Sequence, residues 1–306
     1  AGEGSLHRTA SPSAGGARRP SGPPAGALEP SGTVLMDAIF RDPRFLATAA
    51  LLIALEWVWR RFGARSGYDG AAARASFAVA LGRALAAFLS LAVIAPVYAA
   101  LWSAAPVKLP VDDWRVWAAG FIAVEFAYYW MHRFSHRVRW LWASHAVHHT
   151  AEELTLPAAL RLGWTDLISG SWLFFAPLIV LGFHPLLIVA LLAANLKFQF
   201  LLHTETIGRL GPLDGFFNTP SNHRVHHAAN DCYIDRNFGG VLVIFDRLFG
   251  TYQREREETP CRYGLSTPLG SNNPFVIVFH AWAALVVDAI EARSHRELAG
   301  VLFGRP

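Results

Sequence analysis

Residues 131–150 read MHRFSHRVRWLWASHAVHHT, and the fold is decided by what this stretch demands. His132 and His136 stand four apart; His145, His148 and His149 are spaced by three and four. A further cluster, His223, His226 and His227, follows in HRVHH. Side chains three or four residues apart share one face of a helix. Each cluster is therefore expected to aim two or three imidazoles at one point. A lone pair of histidines usually does no more than face solvent. Burying eight together without a ligand would leave their polar nitrogens unsatisfied. Neutral imidazole suits iron, copper, zinc and nickel, and eight ligands exceed what one ion takes, so a pair of metals is expected. His203, in LLHTE between the second and third clusters, is expected as a ninth ligand or as a hydrogen-bond partner of one. His184 reads as structural, and His7, His280 and His295 receive no role.

On both sides of this stretch the chain is apolar. A bilayer core of ~30 Å takes about 20 apolar residues of helix. Phe45–Trp59 is a short span ended by Arg60 and Arg61; Ala84–Trp102 is a clear one, with Pro96 inside it. Val116–Trp130 leads directly into His132. Leu167–Phe183 and Pro185–Leu202 are separated by so little chain that they read as a helical hairpin returning to the side it entered. Phe275–Ile290 contains His280 and Asp288 and is expected to lie in the interface. The fold class is thus an all-α integral membrane protein of about four to five membrane helices, including a re-entrant-type hairpin, under a cytoplasmic histidine-rich helical cap. Its divisions are residues 1–35, a disordered lead; 36–115, N-terminal membrane helices; 116–274, the histidine-bearing catalytic domain; and 275–306, the C-terminal interfacial helix and tail.

Charge orients these spans. Arg60, Arg61, Arg65, Arg74 and Arg83 lie between the first two, opposed only by Asp69, and Arg133, Arg137, Arg139 and Arg161 follow the third. In 103–115, Lys108 and Arg115 are balanced by Asp112 and Asp113. The positive-inside rule puts the arginine-rich sides in the cytoplasm, and every histidine cluster with them. A bacterial-type inner membrane with the site on its cytoplasmic face is expected.

Composition agrees. Hydrophobic residues are 53% of the 306 and charged residues 16%, with 11 Trp and 21 Phe, against about 25% charged in a typical soluble domain. The formal charge of +4 comes from basic residues flanking apolar runs, which points to anionic lipid headgroups and away from nucleic acid. Cys232 and Cys261 form no CxxC pair and read as small apolar fillers. Residues 1–33 are rich in Gly, Ser, Pro, Ala and Arg and are expected to be disordered. The first methionine, Met36, is the expected natural start.

Imidazole-bound iron pairs suit O₂-dependent oxidation of an unactivated C–H bond, in a dry site open to lipid on one side and to electrons on the other. Carboxylates nearby are expected to hydrogen-bond the far ring nitrogens. Glu125, Glu152 and Asp166 are the leading candidates, with Glu153, Glu205 and Asp231 also near in sequence.

The order H-x-x-x-H, H-x-x-H-H, H-x-x-H-H resembles the fatty acid hydroxylase / sterol desaturase superfamily of integral-membrane di-iron enzymes. Leu141–Arg161 (LWASHAVHHTAEELTLPAALR) is similar to that family's second-box region. Gln199–Tyr252 (QFLLHTETIGRLGPLDGFFNTPSNHRVHHAANDCYIDRNFGGVLVIFDRLFGTY) and Tyr263–Leu265 look especially like its alkylglycerol monooxygenase branch. The resemblance implies two irons held by the histidines, O₂ as co-substrate, and hydroxylation or desaturation of a sterol, fatty acyl chain or ether lipid. It also implies an external electron donor, either tetrahydrobiopterin or a ferredoxin-type protein; no cytochrome b5-like H-P-G-G is present. Arg137 stands where the branch carries an acidic residue, and Leu154–Thr155 where the family commonly reads Tyr-Asn. These departures bear on the substrate and the pterin. Two rivals remain: a metal-binding or transport protein of the membrane, and a catalytically inactive lipid-binding scaffold.

Overall fold

A computed structural model describes residues 1–2, 42–64 and 66–306. Apart from Ala1 and Gly2, the lead expected to be disordered lies outside the described residues, with His7 and the expected start at Met36; so does Arg65. Among the described residues, regular structure is helical except for two isolated β-bridges, Phe217–Leu242 and Ala228–Tyr263.

Helix α1, Pro43–Val58, begins where the Asp42 carboxylate accepts from Arg44 N, and it runs into a wide turn at Trp59–Gly63. Helix α2, Gly70–Ala104, starts under the Asp69 carboxylate, which accepts from Ala71 N and Ala72 N. Its 35 residues reach ~52 Å at ~1.5 Å per residue, well beyond a ~30 Å hydrocarbon core. Leu81, Leu85 and Leu89, spaced by four, are 68%, 65% and 72% exposed. Such a stripe marks a surface made to meet lipid or another protein. Helix α2 (mean hydropathy 2.2) and the later α7, Pro274–Glu291 (18 residues, 1.6), are long and apolar enough to cross a membrane. The interfacial placement expected for α7 therefore competes with its own length and composition.

Helix α3, Trp114–Arg137, is longer than the expected apolar run and carries both His132 and His136. It turns Val116, Gly120, Val124 and Tyr128 inward against Leu187 and Ile188 of α5, Pro185–Phe200. Gly120 permits this approach, since a Cβ there would lie 2.8 Å from Leu187 Cδ2. The run 167–183, expected as one helix, is broken into single turns: Asp166–Ser169, Ser171–Phe175 and Ala176–Val180. Gly170, at φ +77°, supplies the break, while Ser171–Phe175 runs directly on into Ala176–Val180, with Pro177 in the first turn of the latter.

The two ends of α2 face different surroundings. At its C-terminal end, Gly182 (φ +100°) accepts from Leu109 N through its carbonyl, and the His184 ring meets Trp102 edge-on. His184 Nδ1 accepts from Leu186 N, so this histidine caps α5. At the N-terminal end Arg161 is buried, donating to Ala72 O, Ser76 Oγ and Thr150 Oγ1. Arg60 is buried too, on Gly67 O and Glu205. Two arginines that count toward the positive side of the chain thus bind protein groups. The histidine-bearing segments gather at this end: α4, Arg139–His145; the tight turn Ala146–Thr150; and α6, Pro220–His227. Helices α7 and α8, His295–Phe303, complete the chain.

Candidate metal centre

Nine imidazoles converge in two groups. His132, His136, His145, His149 and His226 form one; His148, His203, His223 and His227 form the other, with the candidate ligand atoms of each group within 4.8 Å of one another. The grouping departs from the expectation that each cluster serves one point. Neighbouring helical residues lie about 100° apart, so His148 and His149 must diverge, as must His226 and His227. The pairs four apart stay together: His132 with His136, His145 with His149, His223 with His227. His148 and His226 cross to the opposite group. The segments at 145–149 and 223–227 therefore serve both groups.

The backs of the rings fix their tautomers. His132 Nδ1 lies 2.8 Å from Phe238 O, His148 Nδ1 3.1 Å from Arg161 O, His203 Nδ1 2.8 Å from Gln199 O, and His226 Nδ1 3.0 Å from Arg236 O. A carbonyl only accepts, so each Nδ1 carries the proton and each Nε2 is left with a lone pair. Yet His148 Nε2 and His203 Nε2 lie 3.1 Å apart. Two bare lone pairs at that distance repel. A shared cation removes the conflict, because neighbouring ligand nitrogens about 2.0–2.1 Å from one ion stand about 3 Å from each other. The Nε2 atoms of His136 and His226 are buried with no protein partner at all. The donor set thus fits metal, and it consists entirely of imidazole nitrogen.

Burial also keeps the rings neutral, as ligation requires. It pushes His148 down to about 4, and holds His145, His149, His203, His223, His226 and His227 well below the ordinary histidine range.

The expected carboxylates sit elsewhere. Glu125 accepts from Asn195 Nδ2, Val241 N and Leu242 N, and so fastens the 238–242 loop to α3 and α5. Gly240 lets that loop in: a Cβ there would stand 2.0 Å from Asn195 Nδ2. Asp166 pairs with Arg83 and accepts from Ser144 Oγ. Glu152 lies against Gly264. At the ring nitrogens named above, backbone carbonyls take the place foreseen for side-chain carboxylates. Glu153 and Glu205 flank Arg60.

Two acidic residues were not foreseen. Asp235 Oδ1 lies 4.0 Å from His136 Nδ1, and its other oxygen is 3.0 Å from Arg137 Nε. Arg137, the departure noted in the sequence, therefore has a specific partner beside the site. Asp235 (φ +60°) and Asn237 (φ +54°) adopt left-handed backbone, which Asp and Asn tolerate best among non-glycine residues. Between them Arg236 turns its carbonyl to His226. Asn237 Nδ2 holds the bend through Asn222 O and Gln253 O. Asp246 accepts from Phe238 N and Gly239 N, and burial pushes its carboxyl up to about 6. A polar, glycine-containing run after the third cluster (DRNFGG) signals a turn in the sequence, whereas nothing in FDRLFG marks Asp246.

The fatty acid hydroxylase family profile matches residues 117–251, which hold all nine histidines. Within residues 117–251 the chain is thus similar to the fatty acid hydroxylase family. Human alkylglycerol monooxygenase is 43% identical over 173 residues, covering 56% of this chain and 38% of that protein. The alkylglycerol monooxygenase of Danio rerio is 44% identical over 164 residues, 54% and 36% of the two chains. The ornithine lipid hydroxylase OlsE of Rhizobium tropici is 34% identical over 148 residues, 48% and 44%. The chain thus spans under half the length of these relatives. No solved structure matches it. The leading relatives are animal proteins, which lend no support to the expected bacterial inner membrane.

Proposed function

We propose that this chain is a membrane di-iron lipid hydroxylase. His132, His136, His145, His149 and His226 would hold one iron, and His148, His203, His223 and His227 the other. The observation that carries this reading is the pair His148 Nε2 and His203 Nε2, 3.1 Å apart with both Nδ1 protons tied to backbone carbonyls behind them. When bound, the iron pair supplies O₂-dependent oxidation of a C–H bond. The chain's own part is to keep nine rings neutral, oriented and dry. Carbonyls of Phe238, Arg161, Gln199 and Arg236 set the rings; Glu125 and Asn195 hold the loop beneath them.

The membrane arrangement supporting this has α1, α2 and α3 as spans and 167–202 as a hairpin whose tip, at Gly182, lies at the opposite end of α2 from the histidines. Residues 36–115 would form the membrane base, 116–274 the catalytic domain, and 275–306 the C-terminal element. The site would face the cytoplasm, where a reduced pterin or ferredoxin-type protein could reach it. A lipid chain would enter laterally from the bilayer. Relatives named for alkylglycerols and for an ornithine lipid direct the substrate search to ether lipids and aminolipids first, with hydroxylation ahead of desaturation.

The test is iron per chain in detergent-purified protein, followed by turnover of these lipids under O₂ with a reductant. About two irons and a hydroxylated product support the reading. Two tightly held zinc ions that iron cannot replace, with no lipid product, would overturn it.

A further inference from the structure

The peptide joining Phe238 to Gly239 is hydrogen-bonded at both ends. Its carbonyl faces His132 Nδ1 at 2.8 Å, and its N–H donates to Asp246 Oδ2 at 2.7 Å. The other carboxylate oxygen accepts from Phe238 N and Thr251 Oγ1, each at 2.7 Å. Asp246 has no exposed surface. All three donors are neutral, so its negative charge acts along the loop.

Amide N–H and C=O are conjugated through the C–N bond. A carboxylate on the N–H therefore shifts electron density onto the carbonyl oxygen, and hydrogen bonds in such chains strengthen one another. The Phe238 oxygen becomes a better acceptor for His132 Nδ1–H, which fixes that ring and raises the basicity of its Nε2. Gly239 is required for the close approach: a Cβ there would lie 2.2 Å from Leu242 O and 2.9 Å from Asp246 Oδ2.

We propose that Asp246 is a positioning residue of the metal centre, acting on His132 through the Phe238–Gly239 peptide without touching either ring or metal. This rests on the metal-centre reading. In that role Asp246 does for His132 what a carboxylate bonded directly to a ring would do, at one peptide's remove. Glu125 secures two amides further along the same loop, Val241 and Leu242, each at 2.8 Å.

The experiment titrates the full metal-free protein in detergent with Co(II) alone, following the visible ligand-field spectrum. Wild type should take up two equivalents; uptake of none would defeat the metal-centre reading and this inference with it. Asp246→Asn is nearly isosteric but sets an NH₂ against one of the two loop N–H donors. It should weaken one Co(II) equivalent about 10-fold and shift its spectrum, leaving the other unchanged. In a His132→Ala background the same substitution should change affinity by less than about twofold, because the group through which it acts is gone. Two unchanged equivalents in D246N, equal weakening of both, or the same factor in the H132A background would overturn the inference while leaving the metal centre standing. Should D246N fail to fold, Thr251→Val removes one hydrogen bond from Asp246 and leaves both loop bonds in place. A spectral shift confined to one equivalent supports the relay, and an unchanged spectrum overturns it.

Discussion

The two histidine groups share helices yet differ in kind. In the four-ring group every ring is buried, and the Nε2 atoms run His148–His203–His223–His227 at 3.1 Å per step. The five-ring group has two slightly less buried members, His136 and His145, two Nε2 atoms without protein partners, and the carboxylate of Asp235 beside His136. One ion would sit in an all-imidazole shell, the other beside the Asp235–Arg137 ion pair. The same donor type can thus yield two unlike metals through burial and second partners alone.

The largest expected effect separates the groups directly. His223→Ala and His226→Ala should each remove one metal, from different groups, and each should cost activity beyond the roughly 10–100-fold typical of residues behind the ligands. Iron per chain and turnover check this; loss of both metals in each variant would merge the groups into one unit. Gly240→Ala drives a methyl into Asn195 and should cost about 1–3 kcal/mol, read as a lower Tm without preference for either group. Asp235→Ala should weaken only the five-ring group, by about 10-fold, in a metal-binding titration; equal weakening of both groups would erase the asymmetry.

The smallest effect is in pH. Folded rings are held below their unfolded value of about 6.5, His148 at about 4, so the unfolded chain binds more protons as pH falls. Stability of the metal-free protein should be complete above about pH 7 and decline as pH drops from about 6.5 toward about 4. A Tm several degrees lower at pH 5.5 than at 7.5 checks the sign; a Tm that rises on acidification contradicts it.

Much of this was legible in the residues. Ala84–Trp102 falls within α2, and Val116–Trp130 within α3, because long apolar runs have few other solutions. His132 and His136 share a group because four residues bring a helix back to the same face. The division of HAVHH and HRVHH was visible only in part: adjacency says that two rings diverge, not where the second one goes. The carbonyls of Phe238 and Arg161 could not be read, since backbone atoms are identical at every position. The run 167–183 misled because its hydrophobicity concealed the break at Gly170 and the tighter helical turns that follow it.

The crossing of His148 and His226 has a consequence for how the chain assembles. An ion in the five-ring group would tie residue 132 to residue 226; one in the four-ring group would tie 148 to 227. Among the described residues, the region between holds helix α5 and several shorter helical turns, with no sheet to bind it together. Metals here would serve as rivets, closing long loops as a disulfide does and biasing the unfolded chain toward one topology. Stripping them should loosen the cap before it disturbs α2. The protein would then announce the loss of its metals by becoming easy to digest.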